Sequence, residues 1–347
     1  MADLAIVIVS ANSAHWLERC LTSVFDRAGE ATLEVVVVDN ASTDGTRELV
    51  ESDWPQVRVI DSPNRGFAYG NNRGLEQVRA RYLLLLNPDT EVIEGTFGEL
   101  VGLLDSRTEL GVIGVRQIKP DGTLGRSIHR FPTISRALGE ALFSERWPVH
   151  PAWAGERELN PSAYRQEGEC DWPTGAFLLV RREALQSAGL LDERFFLLCE
   201  EPDLCLRVKR AGWQVRYLPQ MTIVHHAGKH RASPRMLAQE AYARKQYARK
   251  HFNTAYRALF LAALGMRYLI RAAGPGRGDA DRIARREGAR RALWTLVGRA
   301  EPPFGPPPRT AVDTDGLAQR LQAVASLDQG ASDPRPRPDA ARGHVSR

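Results

Sequence analysis

Long hydrophobic runs are missing from this chain of 347 residues. A helix that spans a bilayer needs roughly 18 or more consecutive apolar residues. No stretch approaches that length, which excludes an integral helical membrane protein. The N-terminus lacks the basic start and small-residue cleavage site of a secretory leader, so a cytoplasmic location is expected. Cysteine is scarce: Cys20, Cys170, Cys199 and Cys205 are the full set of 4. Their spacing holds no paired, metal-like motif, so cytosolic free thiols are expected rather than a disulfide framework or zinc module. There is no internal repeat and no recognised nucleic-acid module.

What is present describes a globular protein of one large domain or two ordinary ones, with 43% hydrophobic and 26% charged residues. The net charge of +5 conceals an asymmetry. Between Ala232 and Ala300 stand 15 Lys and Arg against 4 Asp and Glu, a balance of +11, so the remainder sums to −6. A basic segment on a mildly acidic body implies an anionic partner for that segment.

The first third alternates between two periodicities. LAIVIVS, LEVVVVD, VRVI and YLLLL are unbroken apolar runs, the pattern of strands buried on both faces. Between them lie SAHWLERCLTSVFD, with Ser13 as a candidate N-cap, then STDGTRELVES and GFAYGNNRGLEQVRA, all with helical character. Strand–helix alternation predicts an α/β protein with a mostly parallel sheet. In such sheets ligands bind beyond the carboxyl ends of the strands. Asp39 ends the second run and Asp89 follows the fourth, so both carboxylates belong to that edge. Each could also serve only as a turn cap. Residues 136–171 read as an irregular loop or insert. EPDLCLRVKRAGW reads as an amphipathic helix, QVRYLP and TIVHHAG as two short strands, and the chain from Pro234 as basic helices. After Pro302 the composition predicts disorder.

The motifs VVVVDNASTDGT, NRGFAYGNNRGL, LLLLNPDTEV, TGAFLLVRREAL, FFLLCEEPDLCLRVKRAGW and VHHAGKH, in this order, resemble family 2 glycosyltransferases, most of all the bacterial rhamnosyltransferase-like subgroup. The resemblance covers roughly residues 4–230. It implies a GT-A nucleotide-sugar-binding fold in residues 1–231, with a nucleotide-binding part over 1–118 and an acceptor-side part over 119–231. A basic helical segment over 232–300 and a disordered tail over 301–347 would follow. The implied reaction is inverting transfer of a sugar from a nucleotide-diphospho sugar, with dTDP-L-rhamnose the leading donor, to a glycan or polyprenyl-diphosphate-linked acceptor. This would serve bacterial cell-surface polysaccharide synthesis.

The same resemblance assigns roles. Asn87-Pro88-Asp89 stands where the family carries its D-x-D motif, so Asp89 would hold Mg²⁺ or Mn²⁺, and Asn87 would contact the ribose or hold a water. Pro88 cannot donate to a ladder, so the sheet should stop there. Asp39 matches the aspartate that accepts from the N3–H of uracil or thymine. Ser10 and Asn12, after the first strand, and Asn64, Arg65, Gly66 and Asn71, in the loop before the third helix, would complete the nucleotide-sugar site. Gly66 and Gly70 also fit a tight strand-to-helix connection. His225 aligns with a second metal or diphosphate contact, or is structural. Glu201 occupies the position of the general base, with Glu200 the competing choice. Trp172, Thr174, Gly175 and Asp203 would lie on the donor-sugar and acceptor side, although Trp172 fits a core position equally and Asp203 suits capping.

Two readings of the basic C-terminal helices stay open: an amphipathic surface on an anionic membrane, with the enzyme peripheral on the cytoplasmic face of the inner membrane, or helices packed back on the catalytic domain. Nucleic acid is not an expected partner. Other donors compatible with the pattern are UDP-galactose, UDP-N-acetylhexosamine and GDP-mannose. A sugar nucleotidyltransferase would need a Gly-rich basic loop after the first strand, and SANSAHW is not one. The departures at Asn87 and Glu201 also fit a degenerate, membrane-bound scaffold without activity.

Overall fold

A computed structural model of the chain describes residues 1–143, 151–226, 233–273, 279–300 and 303–304. Apart from Pro303 and Phe304, the tail expected to be disordered lies outside the described residues. The strands are β1 (Ala2–Ser10), β2 (Leu33–Asn40), β3 (Arg58–Ser62), β4 (Ala80–Leu86), β5 (Thr90–Glu94), β6 (Leu110–Ile118), β7 (Leu124–Gly125), β8 (Ile128–His129), β9 (Gly168–Glu169), β10 (Trp172–Pro173), β11 (Phe177–Arg181) and β12 (Gln214–His225). The helices are α1 (Ala14–Asp26), α2 (Thr46–Asp53), α3 (Phe67–Leu75), α4 (Phe97–Ser106), α5 (Ile134–Phe143), α6 (Arg182–Ala188), α7 (Glu200–Arg210), α8 (Pro234–His251), α9 (Thr254–Ala273) and α10 (Asp279–Val297).

The central sheet runs β3-β2-β1-β4-β11-β6-β12-β5. Pairing is parallel from β3 through β4 and between β6 and β12. Strand β11 is antiparallel to both its neighbours, and β5 is antiparallel to β12. The apolar runs follow from this burial. In β1, Leu4, Ile6 and Ile8 enter the core shared with α1 and α4, while Ala5, Val7 and Val9 enter the core shared with α3, α6 and α7. Side chains alternate across a strand, so a sheet covered on both faces leaves no polar position along its central strands.

Three expectations need correction. Residues 134–143 form helix α5 rather than the start of an irregular insert. The two short strands expected before and after Pro219 are one strand, β12, whose register shifts between Leu218 and Thr222. Ser13 stands at the N-cap of α1 but makes no side-chain cap. The Asp44 carboxylate, from the next loop, accepts from Ala14 N–H at 2.9 Å instead.

The C-terminal helices pack on the body. Ala241, Phe260, Leu264, Tyr268 and Ala292 form one core with Ala137 of α5. Tyr247 and Ala243 of α8 join Phe195, just ahead of α7. Arg267 binds Glu240 at 2.9 Å and Glu140 at 3.2 Å, and Arg244 bridges Glu240 and Glu156. These ions are largely buried, and each is retained because it meets an opposite charge. Among the described residues, no helix is long and apolar enough to cross a membrane. The four cysteines are free.

Candidate functional site

The carboxyl edge of the parallel strands gathers most of the residues singled out above. Ser10 and Asp39 are register partners on β1 and β2. Asp39 is nearly buried, and its Oδ1 accepts from Ser42 N–H at 3.1 Å. The turn-capping role is therefore real, yet it occupies only one of the carboxylate's oxygens. Asp39, Ser42, Thr46, Ser62 and Pro63 line an open cleft of about 450 Å³. Ser10 Oγ is buried without a hydrogen-bond partner among the described residues. Asn12 turns to the neighbouring loop: its N–H donates to Ser42 Oγ at 2.9 Å and its Oδ1 accepts from Thr43 N–H at 2.8 Å. It takes a left-handed φ of 55° to do so.

In the next loop, Asn64 Oδ1 accepts from Gly66 N–H at 3.3 Å, and the Arg65 guanidinium lies over the Tyr69 ring. Gly66 has φ +105°, and a Cβ there would overlap the Phe196 backbone. A Cβ on Gly70 would press on Val9 and Asn40. Both glycines thus permit close approach of protein to protein, the strand-to-helix reading. Asn71 is fully buried, donating to Phe67 O at 2.9 Å, with its Oδ1 unpartnered among the described residues.

Strand β4 stops at Leu86, one residue short of Asn87-Pro88-Asp89. Asn87 N–H donates to Ala176 O at 3.1 Å. His225 Nε2 stands 3.4 Å from Asp89 Oδ1, and His226 N–H donates to Asp89 O at 2.9 Å. The two proposed metal ligands are therefore brought together from β12 and the β4–β5 turn. Among the described residues no group of three or more His, Cys, Asp and Glu forms a metal cage. One carboxylate and one imidazole, two ligands of an octahedral six, fit a divalent ion that completes its shell with phosphate oxygens and water.

The acidic pair opens α7, and its two members face different surroundings. Glu201 Oε1 accepts from Gly175 N–H at 3.1 Å. A Cβ on Gly175 would overlap that carboxylate, so glycine is required for the contact. Thr174 is fixed beside it, its Oγ1 accepting from Gln117 Nε2 at 2.7 Å and its N–H donating to Ser127 O at 3.0 Å. Glu200 is 2% exposed, and its Oε2 has no partner among the described residues. Burial, reinforced by the Glu201 charge, pushes the Glu200 carboxyl well above its ordinary value of 4.5. The two residues just before the pair, Leu198 and Cys199, hold left-handed φ values of 74° and 71°. Two successive non-glycine residues in that region cost about 1–3 kcal/mol each.

Asp203 faces α8. Its Oδ1 meets His251 Nε2 and Lys250 Nζ, each at 2.7 Å, and its Oδ2 accepts from Arg207 Nε at 3.0 Å. Trp172 stacks on His129 with ring centroids 4.2 Å apart and donates to Arg130 O at 3.1 Å, beside a second cleft that includes Arg136, Asp171 and Lys209.

Sequence reasoning missed three supports of the site. Asn72 donates to Leu191 O and Glu193 Oε1, both at 2.9 Å, and so holds the segment that leads into α7. His251 and Lys250 lie 48 and 47 positions beyond Asp203, with no local signal linking them. His226 bonds Glu91 at 2.7 Å and stacks on Trp16 at 4.3 Å, tying the end of β12 to α1.

Residues 5–185 match the profile described as glycosyl transferase family 2. A Mycobacterium tuberculosis protein named N-acetylglucosaminyl-diphospho-decaprenol L-rhamnosyltransferase is 31% identical over 238 residues, 64% of this chain and 76% of that protein. A rhamnosyltransferase of Escherichia coli strain K12 is 21% identical, over 64% of this chain and 83% of its own length. The crystal structure of GalNAc-T7 with UDP, GalNAc and Mn²⁺ shares the fold with a TM-score of 0.51 and 17% identity, over 66% of this chain and 44% of that one. The profile match spans more than half of the chain: the chain belongs to glycosyl transferase family 2 and is a glycosyltransferase.

Proposed function

We propose that this glycosyltransferase is an inverting rhamnosyltransferase, moving rhamnose from dTDP-L-rhamnose to a polyprenyl-diphosphate-linked glycan in bacterial cell-surface polysaccharide synthesis. One observation carries the reading. The Gly175–Ala176 turn accepts a hydrogen bond from Asn87 N–H through its Ala176 carbonyl, and its Gly175 N–H donates to Glu201. The loop that would hold the diphosphate and the carboxylate that would take the acceptor's proton are thereby fixed to one turn. Rhamnose and the lipid-linked acceptor are supported by the activity for which the mycobacterial relative is named.

Asp39 accepts from the N3–H of the thymine, and Ser62 and Pro63 border the base. Asp89 and His225 would hold Mg²⁺ or Mn²⁺, which would supply positive charge against the charge that develops on the departing diphosphate. Glu201 accepts the proton of the acceptor hydroxyl while that oxygen bonds to the anomeric carbon. The bond from that carbon to the diphosphate oxygen breaks with its electron pair, and the configuration inverts. A single carboxylate suffices for this chemistry. Glu200, buried and with its carboxyl pushed above its ordinary value, is less suited to it.

The test is a donor panel by calorimetry with Mn²⁺, followed by transfer to a decaprenyl-diphosphate-linked N-acetylglucosamine. dTDP-L-rhamnose should bind and turn over, and GDP-mannose should bind poorly, because a purine offers Asp39 a different edge. Tight binding of GDP-mannose, or transfer of another sugar in preference to rhamnose, overturns the reading.

A further inference from the structure

Helix α9 packs on the body through one face, and among the described residues its opposite face is uncovered. Ala255, Leu259, Ala262, Leu269, Ile270 and Ala273 are all exposed, Leu259 by 61% and Leu269 by 57%. With the half-buried Met266 between Ala262 and Leu269, and with Ile270 beside Leu269, they fall within one stripe along the helix, and no charged residue interrupts it. The buried face of the same helix, with Phe260, Leu264 and Tyr268, is the one that meets α5 and α8. Helix α10 packs beside α9 and exposes Arg286 and Arg290 together with Ile283 and Trp294.

We infer that α9 lies flat on an anionic phospholipid surface, with its apolar stripe among the acyl chains and the arginines of α10 at the headgroups. Charge selects this occupant. The segment from Ala232 to Ala300 carries +11, and an exposed apolar stripe on a helix packed beside one with exposed arginines matches the two attractions an interfacial helix uses, burial of apolar side chains and pairing with anionic lipid. At 20 residues the helix is about 30 Å long. Lying flat, it turns Arg257 and Arg271 away from the acyl chains. This inference rests on the lipid-linked acceptor for its purpose and on the helix surface for its geometry. Docking would bring the catalytic edge to the layer in which such an acceptor is dissolved.

Removing the whole segment is a poor test, because Tyr247 and His251 of α8 are built into the packing of α7. Surface substitutions in the full chain are cleaner. The full chain should sediment with vesicles of phosphatidylcholine and phosphatidylglycerol, not with phosphatidylcholine alone, and salt should release it. Leu259→Asn, Leu269→Asn and Ile270→Asn together should weaken vesicle binding at least tenfold, given what each buried aliphatic side chain is worth. Arg286→Gln with Arg290→Gln should weaken it several-fold at low salt and less at high salt. Nucleotide affinity in solution should stay unchanged in both variants.

No binding of the full chain to anionic vesicles overturns the inference, as does undiminished binding by the triple variant. A dimer in solution that the triple substitution dissolves would assign the stripe to a second copy and equally overturn it. Vesicle binding without transfer to a lipid-linked acceptor would instead sink the acceptor assignment and leave the docking surface standing.

Discussion

The Glu201 carboxylate rests on the backbone N–H of Gly175 at 3.1 Å, across 26 positions of sequence. This contact does two things. It gives the carboxylate a backbone donor, and it fixes where the proposed proton acceptor stands relative to Thr174. Glu201→Gln keeps the shape and removes the base, so kcat should fall by roughly 10²–10⁴-fold with donor affinity preserved. Gly175→Ala should lower kcat by displacing the carboxylate, because the overlapping group is the end of a flexible side chain rather than backbone. Steady-state kinetics checks both. A fully active Gly175→Ala would show that this contact does not set the base.

Glu200 makes a different prediction, in stability rather than rate. Its folded pKa is raised by burial first and by the Glu201 charge second. A carboxyl raised on folding contributes stability that is fully present below the unfolded value near 4.5 and is lost as pH climbs toward the folded value. Glu200→Gln imitates the protonated form. It should therefore hold a higher melting temperature than the parent at pH 8, and the difference should shrink toward pH 4. Thermal melts across that range decide it. Equal pH dependence in the two proteins would place an ionised carboxylate at position 200.

Asp203 has the opposite sign. Burial pushes its carboxyl up, but the His251 hydrogen bond and the Arg207 and Lys250 charges outweigh burial and hold it below 3.8. Its stability is present above that value and is lost as pH falls through the folded value. Asp203→Ala leaves three cationic or imidazole groups facing one another in a buried site and should cost about 3–5 kcal/mol. His251→Ala should cost less in stability, because Arg207 and Lys250 remain on the carboxylate. It should still lower kcat with little change in donor KM, since it loosens the first turn of α7 where Glu201 sits. Urea unfolding and a kcat-against-KM comparison test the pair. Wild-type kcat in His251→Ala would confine the α8 contact to stability.

The legible parts of the fold were those in which burial acts on neighbouring residues. Strands β1, β2 and β4 announce themselves because both faces are covered, and Asp39 and Asp89 follow from where those runs end. Strand β6 was not recognised because Gly111 and Gly114 interrupt its apolar pattern. Both are required by close neighbours, Trp213 and Pro173, that are distant in sequence. Strand β5 is short and alternates with charge, as TEVIE. Helix α5 is hidden for a similar reason: the surface that covers it, on α9, lies more than 100 positions later. Within the site, residue types pointed to Glu201, Asp89 and His225. Gly175 was singled out as well, but its bond to Glu201, like the supports at Asn72 and His251, acts through contacts that only the assembled chain creates.

The Asp89–His225 pair yields the last prediction. The two side chains come from segments held together twice, through His226 N–H on Asp89 O and through the pairing of His225 with Thr90. Removing either ligand should leave these backbone contacts, and hence the fold, in place. In calorimetry with Mn²⁺, Asp89→Ala should lose most of the metal-dependent affinity for dTDP. His225→Ala should lose more than the roughly 10–100-fold that supporting residues around metal sites typically cost. Thymidine, which carries no phosphate, should bind all three proteins alike, because the cleft at Asp39 is built from β2 and the loops beside it. His226→Ala separates ligation from support. It removes a ring that stacks on Trp16 and bonds Glu91, while its backbone N–H stays on Asp89. It should weaken Mn²⁺-dependent dTDP binding less than His225→Ala does. If His225→Ala retains the parent's Mn²⁺-dependent affinity while His226→Ala loses it, the imidazole that meets the ion is His226, and the turn after β12 presents its ring to the site in the loaded protein.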